Sequence, residues 1–253
     1  MLTLVIMGRI INCVGNDGSL NKIVFYVSYE LSKNKRVCLI DMCYGMNQMI
    51  YLFDNFPKLD LKDYLVGEKN IKSVISKVDK NLFLIKTNNV FFDYQKHNLE
   101  IKDLIIKISY EFDYLFLVGS LLNFEMLDFR NEVSSELLIL IDNMLESVMF
   151  AKNILKRSWG FDNLKNKKII LHNYKVIGEI RGYALSKEKI EEILKTEVLY
   201  VKTKLPEGKH VKNRTNKLIA KSIEKNKTLI VNYKRKYTGV VGWIRRMFYE
   251  KFE

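Results

Sequence analysis

The chain has 253 residues, 48% of them hydrophobic, and a formal net charge of +13. That length and apolar share suit one substantial buried core and exclude a disordered or low-complexity chain. The charge predicts a surface that meets something anionic, either lipid headgroups or nucleic acid.

From the N-terminus, an apolar strand is expected over Leu4–Val14, then the glycine-bearing stretch Gly15-Asn16-Asp17-Gly18-Ser19-Leu20-Asn21-Lys22, a helix over Ile23–Lys33, and a second strand over Arg36–Ile40 that ends on Asp41. Strand, glycine loop, helix, strand and acid is the order of a phosphate-binding loop unit, in which loop amides and a helix N-terminus hold phosphate. Met42–Phe53 reads as a loop running into a short helix, with Pro57 after it, and Leu61–Leu65 as a short helix closed by Gly67. Ile71, Val74, Ile75 and Val78 recur at helical spacing. Leu82–Ile85 is a brief strand, and Leu99–Tyr110 a helix with Ile101, Leu104, Ile105 and Ile108 on one face.

Tyr114–Val118 and Leu137–Ile141 have the unbroken apolar character of parallel strands buried on both faces. A helix over Met144–Leu155 follows, then a strand over Lys168–Leu171 ending at His172-Asn173. Ser186 is the expected N-cap of a further helix, and Leu199–Val201 the last strand, before Pro206. Strands alternating with helices predict a doubly wound α/β domain, its mostly parallel sheet covered by helices on both faces.

No run of about 18 apolar residues occurs, so no membrane-spanning helix is expected. The first residues lack the basic flank and small-residue cleavage pattern of a signal peptide. Cys13, Cys38 and Cys43 form no C-x-x-C pair, which fits reduced thiols in the cytoplasm rather than a zinc site. His97, His172 and His210 show no metal-ligand spacing, and no nucleophile-elbow serine occurs, so neither metal ligands nor catalytic residues are assigned. Phe91-Phe92-Asp93-Tyr94 is aromatic-rich, a pattern of core packing or partner contact.

The charge is uneven. Residues 201–253 hold 15 Lys/Arg against 4 Asp/Glu, whereas residues 1–200 are nearly balanced at 27 against 25. Two units are therefore expected: an α/β domain over 1–233, and a basic linker with a C-terminal amphipathic helix over 234–253. After Lys234-Arg235-Lys236, the residues Val240, Val241, Ile244, Met247 and Phe248 form an apolar stripe bordered by Trp243 and Phe252. Arg245, Arg246, Glu250 and Lys251 lie on or near its other side. This pattern matches a helix lying in an anionic membrane interface, and it equally fits a terminal helix packed on the domain. Lys209, Lys212, Arg214, Lys217, Lys221, Lys225 and Lys227 read as a solvated lysine-rich helix, with a nucleic-acid phosphate patch as the rival use.

In this order of elements the chain resembles the MinD/ParA family of deviant P-loop ATPases, most closely its MinD and FlhG branch. Arg36-Val37-Cys38-Leu39-Ile40-Asp41 is similar to the family's second strand, and Phe112-Asp113-Tyr114-Leu115-Phe116-Leu117 to the strand before the Walker B acid. Leu61–Lys69 followed by Asn81–Ile85 is similar to the stretch between the first switch and the third strand. Leu185–Leu194 followed by Leu205-Pro206-Glu207 resembles the late helix and its acidic turn. The resemblance implies ATP as ligand through Gly15, Gly18, Ser19, Lys22 and Asp41, with Asn173 in the place of an adenine-contacting Asn. It also implies a homodimer or partner protein, and a short basic C-terminal targeting helix on the inner face of the membrane.

The chain departs from the family loop K-G-G-x-G-K-[ST]. Counted forward from Arg9, its two lysines and hydroxyl fall on Asp17, Lys22 and Ile23; counted backward from Asp41, they fall on Val14, Ser19 and Leu20. Neither count leaves a hydroxyl for Mg²⁺. The family's second acid falls on Cys43 and its Walker B acid on Val118. Phosphoryl transfer depends on such lysines, hydroxyls and acids. The expectation is a membrane-peripheral positioning or scaffolding protein without ATP hydrolysis, serving division, flagellar or pilus placement. The alternative is a functional ATP-binding MinD/ParA-type ATPase, including DNA partitioning or TadZ-like pilus assembly.

Overall fold

The computed structural model describes residues 7–15, 19–43, 58–87, 92–119, 135–156, 167–171, 184–200 and 214–225. Their strands are β1 (Arg9–Gly15), β2 (Val37–Asp41), β3 (Ser76–Lys77), β4 (Leu82–Ile85), β5 (Tyr114–Val118), β6 (Ser135–Ile141), β7 (Lys167–Leu171) and β8 (Leu199–Tyr200). They join in one eight-stranded sheet of order β3-β4-β2-β5-β1-β6-β7-β8. All pairings are parallel except that of β3 with β4. The continuous apolar runs follow from this arrangement, because a central parallel strand is covered on both faces. Every residue of β2 and β5 is buried.

The helices are α1 (Ser19–Ser32), α2 (Leu61–Leu65), α3 (Ile71–Val74), α4 (Asn98–Ser109), α5 (Leu145–Lys156), α6 (Lys187–Leu194) and α7 (Arg214–Lys225). Strand parity sorts the core into two layers. Ile10, Val14, Leu115 and Leu117 pack with α4, α5 and α6, through Ile105, Val148 and Ile190 among others. Ile11, Cys13, Phe116 and Val118 pack with Ile23, Val24 and Val27 of α1 and with Ile219, Ala220 and Ile223 of α7. Helices thus cover both faces, as the alternation predicts.

Local chemistry sets the helix starts. Asp60 and Asp63 form a reciprocal capping box at α2, Asn70 caps α3, and the Ser186 hydroxyl accepts from the Lys189 N–H at 3.2 Å. The α4 stripe Ile101, Leu104, Ile105 and Ile108 is buried as its spacing requires.

Four expectations change. The strand expected from Leu4 leaves Met7 and Gly8 outside it and runs from Arg9 to Gly15. The helical spacing over residues 71–78 carries helix only to Val74. Ile75 is extended, and Val78 N–H bonds Leu82 O at 2.8 Å to close a β3–β4 hairpin. An edge strand supplies more partners there than a further helical turn would. The helix expected from Ile23 begins four residues earlier, at Ser19. The lysine-rich run is a helix over Arg214–Lys225, but Ile219, Ala220 and Ile223 give it a buried face against the α1 layer.

Candidate functional site

The carboxyl ends of β1, β2, β5 and β6 form the edge where an open parallel sheet gathers its ligands. Gly15 is the last residue of β1 and stands in register with Leu140 of β6. A Cβ on Gly15 would lie 3.3 Å from the Leu140 carbonyl oxygen and 3.4 Å from the Leu20 Cβ, so the close approach of α1 to the sheet suits glycine. Residues 16–18 alone separate β1 from α1. Within the first turns of α1, Leu20, Asn21 and Ile23 are buried while Lys22 is exposed. Lys22 thus points to the outside of the helix and Leu20 into the core.

Asp41 ends β2 opposite Val118 of β5, with the backbone parity of Val37 and Leu39, which face the α1 layer. Its carboxylate is fully buried. Oδ1 accepts the Cys43 N–H at 2.9 Å, and Oδ2 has no hydrogen-bond partner among the described residues. Burial raises its pKa from 3.8 to about 6, against the lowering effect of the Cys43 N–H. The main chain is tied down by Thr87 Oγ1 donating to Asp41 O at 2.7 Å and by Met42 N–H donating to Val118 O at 2.6 Å. Cys43 is half-buried, its Sγ 3.7 Å from Val118 O. Burial first, and then the Asp41 charge, push its thiol pKa up, so it is no reactive thiolate. Cys13 and Cys38 are buried free thiols in β1 and β2.

The described residues do not fit Mg²⁺, which needs several oxygen ligands in octahedral array. Leu20 and Ile23, the two residues that counting offers for the metal-binding hydroxyl, are both buried apolar side chains. Val118 is buried as well, and the carboxylates at this edge include Asp41 and also Asp142, the residue after β6, whose Oδ1 accepts the Met144 N–H at 3.0 Å. No group of three or more His, Cys, Asp or Glu side chains there could hold a metal ion.

The structure brings Gly15, the start of α1 and Asp41 to one edge. Lys22 turns outward, and of Ser19 only the backbone is described. Gly18, Asn173 and the apolar stripe Val240–Phe248 with Trp243, Arg245, Arg246 and Lys251 lie outside the described residues. Among the described residues no helix is long and apolar enough to cross a membrane.

Sequence reasoning passed over the opposite edge, where the strands begin. There Arg9 forms an ion pair with the nearly buried Glu136, donates to Ile223 O of α7 at 2.6 Å, and lies 5.4 Å from the Tyr114 ring centroid. The guanidinium thus ties β1, β5, β6 and the last turn of α7 together, satisfying a carbonyl that a helix C-terminus leaves open. The visible trace in sequence is one charge heading each of two apolar strands.

No protein-family model and no curated protein matches the chain. Solved structures do. A ParA family ATPase from Chlorobium tepidum superposes with a TM-score of 0.61 at 16% identity, covering 77% of this chain and 83% of that one. The cell division ATPase MinD of Pyrococcus furiosus gives 0.58 at 17% identity, over 98% of this chain and 100% of its own. A plasmid partition protein of Borrelia burgdorferi bound to AMPPNP gives 0.59 at 20% identity, over 87% and 98%. The sheet order, the helices on both faces and these superpositions agree: the chain has the P-loop fold of the MinD and ParA ATPases.

Proposed function

We propose that this protein is a MinD-like positioning or scaffolding protein whose nucleotide site no longer hydrolyses ATP. One observation carries the reading: α1 opens at Ser19, with only three residues between it and the end of β1 at Gly15. A phosphate loop runs directly into its helix, so this spacing favours the count in which Val14, Ser19 and Leu20 occupy the positions of the two lysines and the hydroxyl. Gly15 and Gly18 then coincide with loop glycines, while the charge that would act on phosphate is gone. Buried Val118 in the place of the Walker B acid and Cys43 in that of the second acid support the same conclusion. With no lysine on the phosphates and no oxygen cage for a metal, the electrostatic work of phosphoryl transfer has no agent.

The protein reaches the anionic inner face of the cytoplasmic membrane through Val240–Phe252, with Trp243 and Phe248 in the interface and Arg245, Arg246 and Lys251 toward headgroups. A single such helix attaches reversibly, so residence depends on a homodimer or partner protein. The similarity to a cell division ATPase over nearly the full length of both chains supports a role in placing division, flagellar or pilus machinery. The test is ATP turnover by the full chain at high protein concentration, with Lys22→Ala beside it. Neither should exceed the buffer rate; turnover abolished by Lys22→Ala overturns the proposal. Sedimentation with anionic liposomes tests the membrane step, which Ile244→Glu should abolish.

A second reading keeps ATP binding and DNA partitioning. Its support is the AMPPNP-bound partition protein of the same fold, together with Lys217, Lys221 and Lys225, which are exposed along α7 at intervals of four residues. Saturable ATP binding by calorimetry, with salt-sensitive DNA binding and none to lipid, would favour it.

A further inference from the structure

The edge of the sheet remote from Gly15 and Asp41 carries a cavity of about 410 Å³ that the reading above does not use. It lies between the start of β1, the turn into β2 and the turn from α4 into β5. Its backbone is drawn tight: Gly8 N–H bonds Ser109 O at 2.7 Å, and a Cβ on Gly8 would fall 1.8 Å from the Phe112 carbonyl oxygen. Residue 8 therefore has to lack a side chain.

The charges lining this cavity divide into engaged and unengaged. Arg9 is held by Glu136 and Ile223 O. Asp113 accepts the Arg36 backbone N–H at 2.7 Å and faces the Lys35 ammonium at 4.0 Å. Two groups of opposite sign remain. The Arg36 guanidinium lies 5.1 Å from the Phe112 centroid and 5.7 Å from that of Phe83, held by two aromatic rings, with no hydrogen-bond acceptor among the described residues. The Glu111 carboxylate likewise has no cation within ion-pair distance among the described residues, Arg36 included. Tyr110, half-exposed, supplies apolar surface beside them.

A planar guanidinium oriented by aromatic rings is preorganised for a carboxylate fork, and a separate carboxylate in the same cavity suits an ammonium. We propose that this cavity binds a small zwitterion of the amino-acid type, its carboxylate on Arg36, its ammonium on Glu111 and its apolar body against Tyr110. The volume falls within the range of small-ligand sites. Because the pocket is open, the contacts are solvated and the affinity is modest. The site lies at the opposite end of the strands from the nucleotide edge.

The experiment is calorimetric titration of the full chain with L-leucine, and with two analogues that each lack one charge: leucinamide, without the carboxylate, and 4-methylpentanoate, without the ammonium. Leucine is expected to saturate, and each analogue to bind at least about tenfold more weakly. Arg36→Gln and Glu111→Gln should each weaken leucine about tenfold or more, while Lys80→Gln, outside the cavity, leaves it unchanged. Both cavity substitutions are at exposed positions, and circular dichroism melting checks that the fold survives; Arg36→Lys, keeping charge without the fork, should fall between. No saturable binding of leucine, glutamate or lysine up to about 10 mM overturns the proposal. So does leucine binding that Arg36→Gln leaves intact, or equal binding of leucine and both analogues.

Discussion

The two edges of this sheet differ in chemistry. At the carboxyl edge, Leu20 and Val118 are buried apolar side chains and Asp41 is a buried carboxylate. At the amino edge, Arg9, Glu136, Arg36, Glu111 and Asp113 gather around close backbone contacts. The difference teaches that burial on both faces of the strands maintains the fold whatever side chains stand at their ends. At the amino edge polar groups are tied into the packing, as Arg9 is to Glu136 and to Ile223 O.

The comparison can be broken first at Gly8. Gly8→Ala forces the β1 backbone away from Phe112 and should cost about 3 kcal/mol in urea unfolding. A cost under about 0.5 kcal/mol would mean that the amino edge is slack. Next, Arg9→Met keeps the apolar stem but strands Glu136 and the Ile223 carbonyl. About 2 kcal/mol should be lost, less than for a fully buried pair because Arg9 is partly exposed. Faster amide exchange in α7 should accompany it, and unchanged exchange there would dismiss the clasp.

At the other edge the sign reverses. Asp41 has a folded pKa raised from 3.8 to about 6. The folded state therefore holds the proton more tightly than the unfolded chain, and the contribution is fully present below about pH 4 and lost as pH rises through about 6. Asp41→Asn should stabilise the protein by about 2 kcal/mol at pH 7.5, with the gain vanishing near pH 4. Loss of stability at pH 7.5 would instead indicate a charged role for that carboxylate. Smallest of all, Lys22→Ala on the outer face of α1 should change stability by no more than about 0.5 kcal/mol.

Much of the scaffold was readable because both-face burial writes unbroken apolar runs: Tyr114–Val118 and Leu82–Ile85 appear at their exact bounds, and β2, β6 and β7 within two residues of theirs. The Ser186 cap and the α4 stripe were equally legible, being matters of single residues and helical period. The hairpin after Val74 was not, since Ile75 and Val78 satisfy a helical period and a strand alike until Leu82 offers a pairing partner. At the candidate site, Gly15 and Asp41 could be read from order along the chain. The outward turn of Lys22, the inward turn of Leu20 and the missing partner of Asp41 Oδ2 required the packing of α1 and the neighbouring strands.

Sequence by itself determined the alternation of strand and helix, the likeness to the MinD and ParA ATPases, and that no single register recovers both loop lysines. Those are properties of composition and spacing within short windows. Tertiary structure alone decided where α1 begins, that Asp41 is sealed from water, and that Arg9 meets partners 127 and 214 residues away. Contacts so distant leave no local pattern, because folding chooses them by which surfaces are buried together.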